Sequence, residues 1–371
     1  MIDRRCFRYF DWISLLLTLA LLSIGLLFVF SATYKADVPC SMFFKKQLIG
    51  AGIGLVAYLF FSFTDLRSSY RFGFIGYFVL LCMLLYTLTV GRWVMGAQRW
   101  ISLGFIRFQP SELTKFFLPL FIAYYFCETT VPKYKFSQVP RLTYKDFLFP
   151  LGVLVLSFVL IRKQPDLGTA LIVLGSGLVL LWFVGLSKYF FIMGLVISLA
   201  GAPIIWKCLR PYQQNRVLVL MGYGDARKER YQIEQSKIAI GSGGVFGKGF
   251  LKGTQNKLNF LPEDHTDFIF SVICEEIGLM GALLVLLLFG LLFVRLLFVV
   301  ISVETLFEQI VALGLLLPIL LSVCINIGMV IGLLPIVGIP LPLVSYGMTN
   351  LIITLASLGW INNIAIRRFY Y

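Results

Sequence analysis

The sequence predicts an all-α polytopic membrane protein with about ten transmembrane helices and one large extracytoplasmic loop. Three observations carry this. Hydrophobic residues make up 59% of the 371 positions and charged residues 13%, with mean hydropathy +0.90; a soluble domain carries nearly twice that charged share. The apolar residues gather in runs of about 20, the length of helix that crosses a bilayer. One interval, residues 208–266, breaks the rhythm and is polar and rich in glycine and lysine.

The first apolar run, residues 13–30, is too long for a signal-peptide core and lacks a small-residue cleavage site, so it reads as the first span. The predicted spans are 12–32, 43–63, 72–90, 111–127, 146–162, 166–184, 188–207, 268–299, 304–332 and 343–365. An even number puts both termini on one side. Arg4, Arg5 and Arg8, then Lys133, Lys135, Arg141 and Lys145, and finally Arg367 and Arg368 all fall on that side. The positive-inside rule makes it cytoplasmic. Of the 32 lysines and arginines, 13 fall inside and 19 outside, but ten of the 19 lie in the long loop between Lys207 and Lys257. Long loops are exempt, so 13 against 9 sets the orientation.

The chain reads as a single transmembrane domain, 1–371. The 208–266 loop is too small and too poor in apolar residues to stand alone and is expected to fold back on the membrane part. Seven cysteines include no C-x-x-C pair, which removes redox and zinc motifs. Cys40 and Cys208 would both face outward, with nothing in the sequence to pair them. The net charge of +14 is spread over loops on both faces without a basic domain or nucleic-acid motif, so anionic lipid, not nucleic acid, is the expected partner.

Five segments bring chemistry-bearing side chains to one membrane face. FLPEDHTDFIFSVICEEIGL, residues 260–279, holds five of the 18 acids and the only histidine, His265. Asp267 falls in the first turn of the eighth span, beside Glu263, Asp264, His265 and Thr266. Glu275 and Glu276 follow eight and nine residues later, about 12 Å deeper, where carboxylates are costly unless neutral, paired or facing a polar cavity. In GAQRWISLGFIRFQPSELTKFF, residues 96–117, Glu112 and Lys115 share a helix face at i, i+3, with Arg99 and Arg107 near. In IRKQPDLGTA, residues 161–170, Arg162 and Lys163 flank Asp166 in a tight turn; FQPSELT and KQPDLGT echo each other.

QSKIAIGSGGVFGKGFLKGTQNKLNFLPE, residues 235–263, matches neither G-x-G-x-x-G nor a P-loop. It predicts a flexible loop whose N–H groups and Lys237, Lys248, Lys252 and Lys257 can clasp phosphate. LPIVGIPLPLVSYGMTN, residues 334–350, interrupts the membrane path with three prolines and two glycines. Irregular backbone at that depth needs protein or a wet cavity beside it, so this is a predicted cavity wall. Spans 4, 6, 8 and 10 begin at this face, and their N-termini favour an anion. The physical reading is a cavity at the outer leaflet for an anionic lipid or phosphate compound.

GAQRW, FQPSELTK, QPDLGTA, QSKIAIGSGG, FLPEDHTDFIFSVICEEIG and PLVSYG, spread over roughly 90–364, resemble the signature segments of the SEDS family (shape, elongation, division and sporulation) in content and order. GKGFLKGTQNKLNFLPE and the short N-terminus are closer to its rod-shape than to its division members. The resemblance implies the SEDS fold and a glycosyltransferase of the bacterial cytoplasmic membrane that polymerises lipid II into β-1,4 glycan strands, inverting the donor sugar. It implies a class B penicillin-binding protein (transpeptidase) and elongation-complex membrane proteins as partners. By matching motif, Asp267 is the family's essential aspartate and expected catalytic base, Glu112 and Lys115 its functional pair, and Asp166 a further sensitive acid. Arg99, Lys237, Ser242, His265, Thr266 and Ser345, in or beside the matching segments, complete the candidate substrate site.

PLVSYG is followed by Met348, Thr349 and Asn350 where the family usually has a second glycine and small residues. These residues make no cofactor certain; a divalent cation, magnesium or manganese, stays open, as does the role of Glu275 and Glu276. The competing class is a lipid II flippase, which needs a path polar through the full bilayer depth.

Overall fold

Apolar runs bounded by cap-forming side chains set the helices. Asp11 and Ser41 accept from the N–H groups of Ser14 and Phe44 at the starts of α1 (Trp12–Thr33) and α2 (Met42–Phe63). The computed structural model describes residues 9–35, 40–64, 66–94, 97–103, 106–130, 142–201, 206–207, 214, 218–219, 231–257 and 260–368. α3 (Leu66–Val90) leads into a three-stranded antiparallel ribbon of β1 (Arg92–Val94), β2 (Ala97–Leu103) and β3 (Ile106–Phe108), with Ile101 opposite Phe108. The helix-length reading of the sequence passed over this ribbon because its strands are shorter than any span.

α4 (Pro110–Tyr124), with proline in its first turn, runs on as a π-helical turn, Tyr125–Thr130. There follow α5 (Tyr144–Lys163), α6 (Leu167–Val184), α7 (Lys188–Ala200), α8 (Tyr231–Gly243), the single turn α9 (Thr254–Lys257), α10 (Ile269–Ser302), α11 (Leu306–Val330) and α12 (Met348–Arg367). Among the described residues eight helices are long and apolar enough to cross a membrane; α4 and α7 are shorter and occupy the fourth and seventh predicted spans. The tenth span starts at Met348, five residues later than predicted, because 341–347 is a buried turn.

α12 is the least apolar of the eight and 94% of its span is buried, against 33% for the most apolar, α10. Protein covers the first and leaves much of the second facing outward, so polar side chains on α12 find partners inside. Asn362 accepts from the Asp11 N–H and donates to the Tyr58 hydroxyl, and Arg295 on α10 holds the Asp11 carboxylate at 2.9 Å. Both ends of the described chain therefore lie on one side of the bundle. The candidate residues lie on the other.

α8 to α10 correct the picture of a flexible basic loop. Residues 231–243 are helical and pack along α10, with the Ser236 hydroxyl 2.8 Å from that of Ser271 and donating to the Val330 carbonyl. α10 breaks at Gly278 (φ 75°), which frees backbone groups on either side. The turn after α8 takes them up: Lys248 and Gly249 donate to the carbonyls of Glu275 and Glu276, and Leu279 and Met280 donate to those of Gly244 and Val245. Cys40 is exposed and free; Cys208 lies outside the described residues.

Candidate active site

The two echoing segments meet. The amide of Gln109 donates to Asp166 at 2.7 Å and the Ser111 hydroxyl to the same oxygen at 3.1 Å. The other Asp166 oxygen accepts from the Thr169 N–H, 3.2 Å, as N-cap of α6. Arg99 reaches from β2 to within 3.8 Å. Gln164 donates to the Leu84 carbonyl and Thr87 hydroxyl on α3. Asp166, 3% exposed, thus ties the ribbon, α4 and α6 together at one face.

One turn into α4, Lys115 donates to both oxygens of Glu112, at 2.8 and 2.9 Å. Asn350 on α12 adds a bond at 2.8 Å and the Thr169 hydroxyl one at 3.5 Å. Both charges are buried. A buried pair gains little net stability, because desolvation offsets attraction. This pair lines a small cavity with Ser322, Pro342, Asn350, Thr354 and Ser357. Lys115 has three N–H donors and spends two on Glu112, so the third is available to a group in the cavity. Next along these helices, Phe61 stacks on Trp360 at 5.4 Å and Phe116 packs on both rings at 5.2 Å; the cavity's own apolar lining is Leu315, Pro318, Ile319 and Ile353.

Asp267 lies in the turn just before α10 rather than in its first helical turn. It is half-buried. Asn326 of α11 donates to its carbonyl and to that of Ile339, at 2.9 and 2.8 Å, which fixes the turn against segment 331–347. A Cβ on Gly338 would stand 3.7 Å from the Asp267 carboxylate, so bare backbone faces the acid. The same segment touches α6 at Gly168, where a Cβ would come within 2.8 Å of the Val337 carbonyl, and lines the cavity at Pro342. This irregular stretch is the wall between the Asp267 turn and the Glu112–Lys115 cavity.

The family model described as "Cell cycle protein" (FTSW_RODA_SPOVE) matches residues 12–369. The chain belongs to this family. Peptidoglycan glycosyltransferase MrdB of Escherichia coli (strain K12) is 39% identical over 97% of this chain and 94% of its own length. Stage V sporulation protein E of Bacillus subtilis (strain 168) is 34% identical over 96% of each. Among solved structures, a chain of a peptidoglycan synthase complex superposes with TM-score 0.81 at 28% identity, covering 98% of this chain and 99% of that one. The rod shape determining protein RodA of Thermus thermophilus gives 0.71 at 27%, covering 97% and 98%.

On this FtsW/RodA/SpoVE scaffold the remaining candidates separate. His265 bonds Asp264 through Nδ1 at 2.9 Å, and its ring packs on Phe43 at 4.7 Å and near Tyr346 at 5.7 Å. The Thr266 hydroxyl bonds the Glu263 carbonyl and carboxylate. Ser345 is buried and its hydroxyl accepts from the Leu341 N–H, so it closes the wall's last turn. Lys237 is exposed on α8 and lies over Gly332; the Ser242 hydroxyl returns to the Ala239 carbonyl. The side chain of Arg107 lies outside the described residues.

Among the described residues no group of three or more His, Cys, Asp or Glu is placed to hold a metal. Sequence reasoning missed Gln109 as the partner of Asp166 and Asn326 as the clamp on Asp267; lone amides in or beside apolar spans were the available signal. Asn350 drew notice only as a departure from the family pattern, yet it is the residue that reaches Glu112.

Proposed function

We propose that this chain is a peptidoglycan glycosyltransferase that polymerises lipid II into β-1,4 glycan strands during cell-wall elongation. The observation that carries the reading is the half-buried Asp267 carboxylate, set against bare backbone on the wall that also bounds the Glu112–Lys115 cavity. Relatives named peptidoglycan glycosyltransferase match nearly the whole chain. Asp267 accepts the proton of the attacking sugar hydroxyl. That oxygen bonds to the donor's anomeric carbon as the bond to pyrophosphate breaks, which inverts the carbon in one displacement. Lys115, Arg99 and Lys237 are the cations for the leaving phosphates. Glu112, its oxygens already taken by Lys115, Asn350 and Thr169, positions Lys115 rather than acting as a base.

The reading places the two termini in the cytoplasm of a bacterium and this site at the outer face of its inner membrane. The partner is a class B penicillin-binding protein that crosslinks the strands, alongside other elongation-complex membrane proteins. The test is polymerisation of lipid II by purified protein in liposomes, with and without that partner, for wild type and Asp267→Asn. Polymer from wild type alone supports the reading. No polymer, with labelled lipid II crossing the bilayer instead, would support the flippase alternative.

A further inference from the structure

The turn joining α8 to α9 is held rigidly yet presents apolar side chains outward. Four backbone hydrogen bonds fasten residues 244–249 into the break of α10, and Lys248 bonds Glu275 at 2.6 Å. From this fixed turn Val245, Phe246 and Phe250 project at 51%, 81% and 44% exposure. Large apolar groups pinned in water gain nothing from that fixation, so their surroundings need explaining.

Two contacts give the turn's level in the membrane. Ser31, in the last turn of the spanning helix α1, donates to Glu276 at 2.6 Å, and Phe28 of α1 meets Phe250 edge-on at 6.2 Å. The turn therefore stands level with the end of a span. At about 1.5 Å per residue the 34 residues of α10 extend roughly 50 Å, well beyond a hydrocarbon core of about 30 Å. Every residue from Ile269 to Glu276 is covered by protein, and the outward apolar belt begins at Ile277 and runs on through Leu279, Met280 and Leu283. Val245 and Phe246 adjoin the rim of that belt. Lys252, exposed just after the turn, is a cation that headgroup phosphates would attract.

We propose that the 244–251 turn is a lipid anchor, with Phe246 and its neighbours seated among acyl chains at the boundary of the leaflet on the active-site side. It fixes the height of the α10 N-terminal segment, and of the turn carrying Asp267, relative to the membrane surface. The inference stands on the membrane fold and does not depend on the proposed reaction.

The experiment places a photoreactive benzoyl-phenylalanine at position 246 in the otherwise intact chain, in native membranes, with Leu283 as lipid-facing reference and Glu263 as water-facing reference. Crosslinking of position 246 to phospholipid, at a yield like that of position 283, is the expected result. Crosslinking to protein, or a yield like that of position 263, overturns the proposal. A nitroxide at 246 in proteoliposomes gives a second reading: accessibility to oxygen like that at 283 supports the anchor, and accessibility to a water-soluble nickel complex like that at 263 overturns it.

Discussion

Two glutamate–lysine pairs with buried carboxylates stand on the same side of the bundle, and they differ in what surrounds them. Glu112 and Lys115 are neighbours on one helix, and their pair opens on a cavity. Glu275 and Lys248 lie 27 positions apart, and the Glu275 oxygen that takes the lysine accepts three further bonds from the α9 turn: from the N–H groups of Thr254 and Gln255 and from the Thr254 hydroxyl. The first pair is local in sequence and leaves a donor for something outside the protein. The second is long-range and leaves nothing for a substrate on that oxygen, because it holds a chain segment in place. Burial of charge at membrane depth marks importance in both cases, but only the space beside the pair separates chemistry from architecture.

The contrast is open to direct attack. The largest effect is expected at neither pair but at the acid the wall presents: Asp267→Asn lowers glycan polymerisation by about 10²–10⁴-fold, the usual worth of a positioned base, with the thermal midpoint in detergent unchanged. Glu275→Ala does the reverse. It removes the shared acceptor of Lys248, the Thr254 hydroxyl and the N–H groups of 254 and 255, costing more than the roughly 1.5–3 kcal/mol of a single charge-assisted bond, and is read as a fall in thermal midpoint with early proteolysis near 244–257. Lys115→Met falls between them, with polymerisation lost and a smaller midpoint change than Glu275→Ala, since water in the cavity can solvate the remaining carboxylate. Asn350→Ala is the mildest: it removes one charge-assisted bond to Glu112, about 1.5–3 kcal/mol at most, and partial polymerisation activity should survive. Equal stability losses for Lys115→Met and Glu275→Ala would dissolve the distinction between the pairs.

Much of this was legible in advance for identifiable reasons. The spans were readable because a bilayer demands length and apolarity at the same time, and eight long helices fall within a few residues of the predicted bounds apart from the start of α3 and the delayed start of α12. Asp166 was flagged as a charged turn, yet its bonds to Gln109 and Ser111 join residues more than 50 positions apart, and no local pattern encodes them. The 235–263 stretch was misread as flexible because glycines and lysines look alike in a loose loop and in a turn fastened to a helix break. Gly278 gave no warning, since a glycine within an apolar run is ordinary in a membrane helix.

The sequence by itself determined the membrane class, the helical spans, the family and the acids and cations gathered near one face. These follow from composition, run length and motif, which are properties of neighbours along the chain. Only the tertiary structure decided which carboxylates hold a chain segment in place and which stand at the cavity and its wall. It turned Glu275 into a tether, joined Asn350 to Glu112, and set Asp267 beside the backbone of Gly338. A side chain's role in the membrane depends on the partner that replaces its water, and that partner comes from elsewhere in the chain.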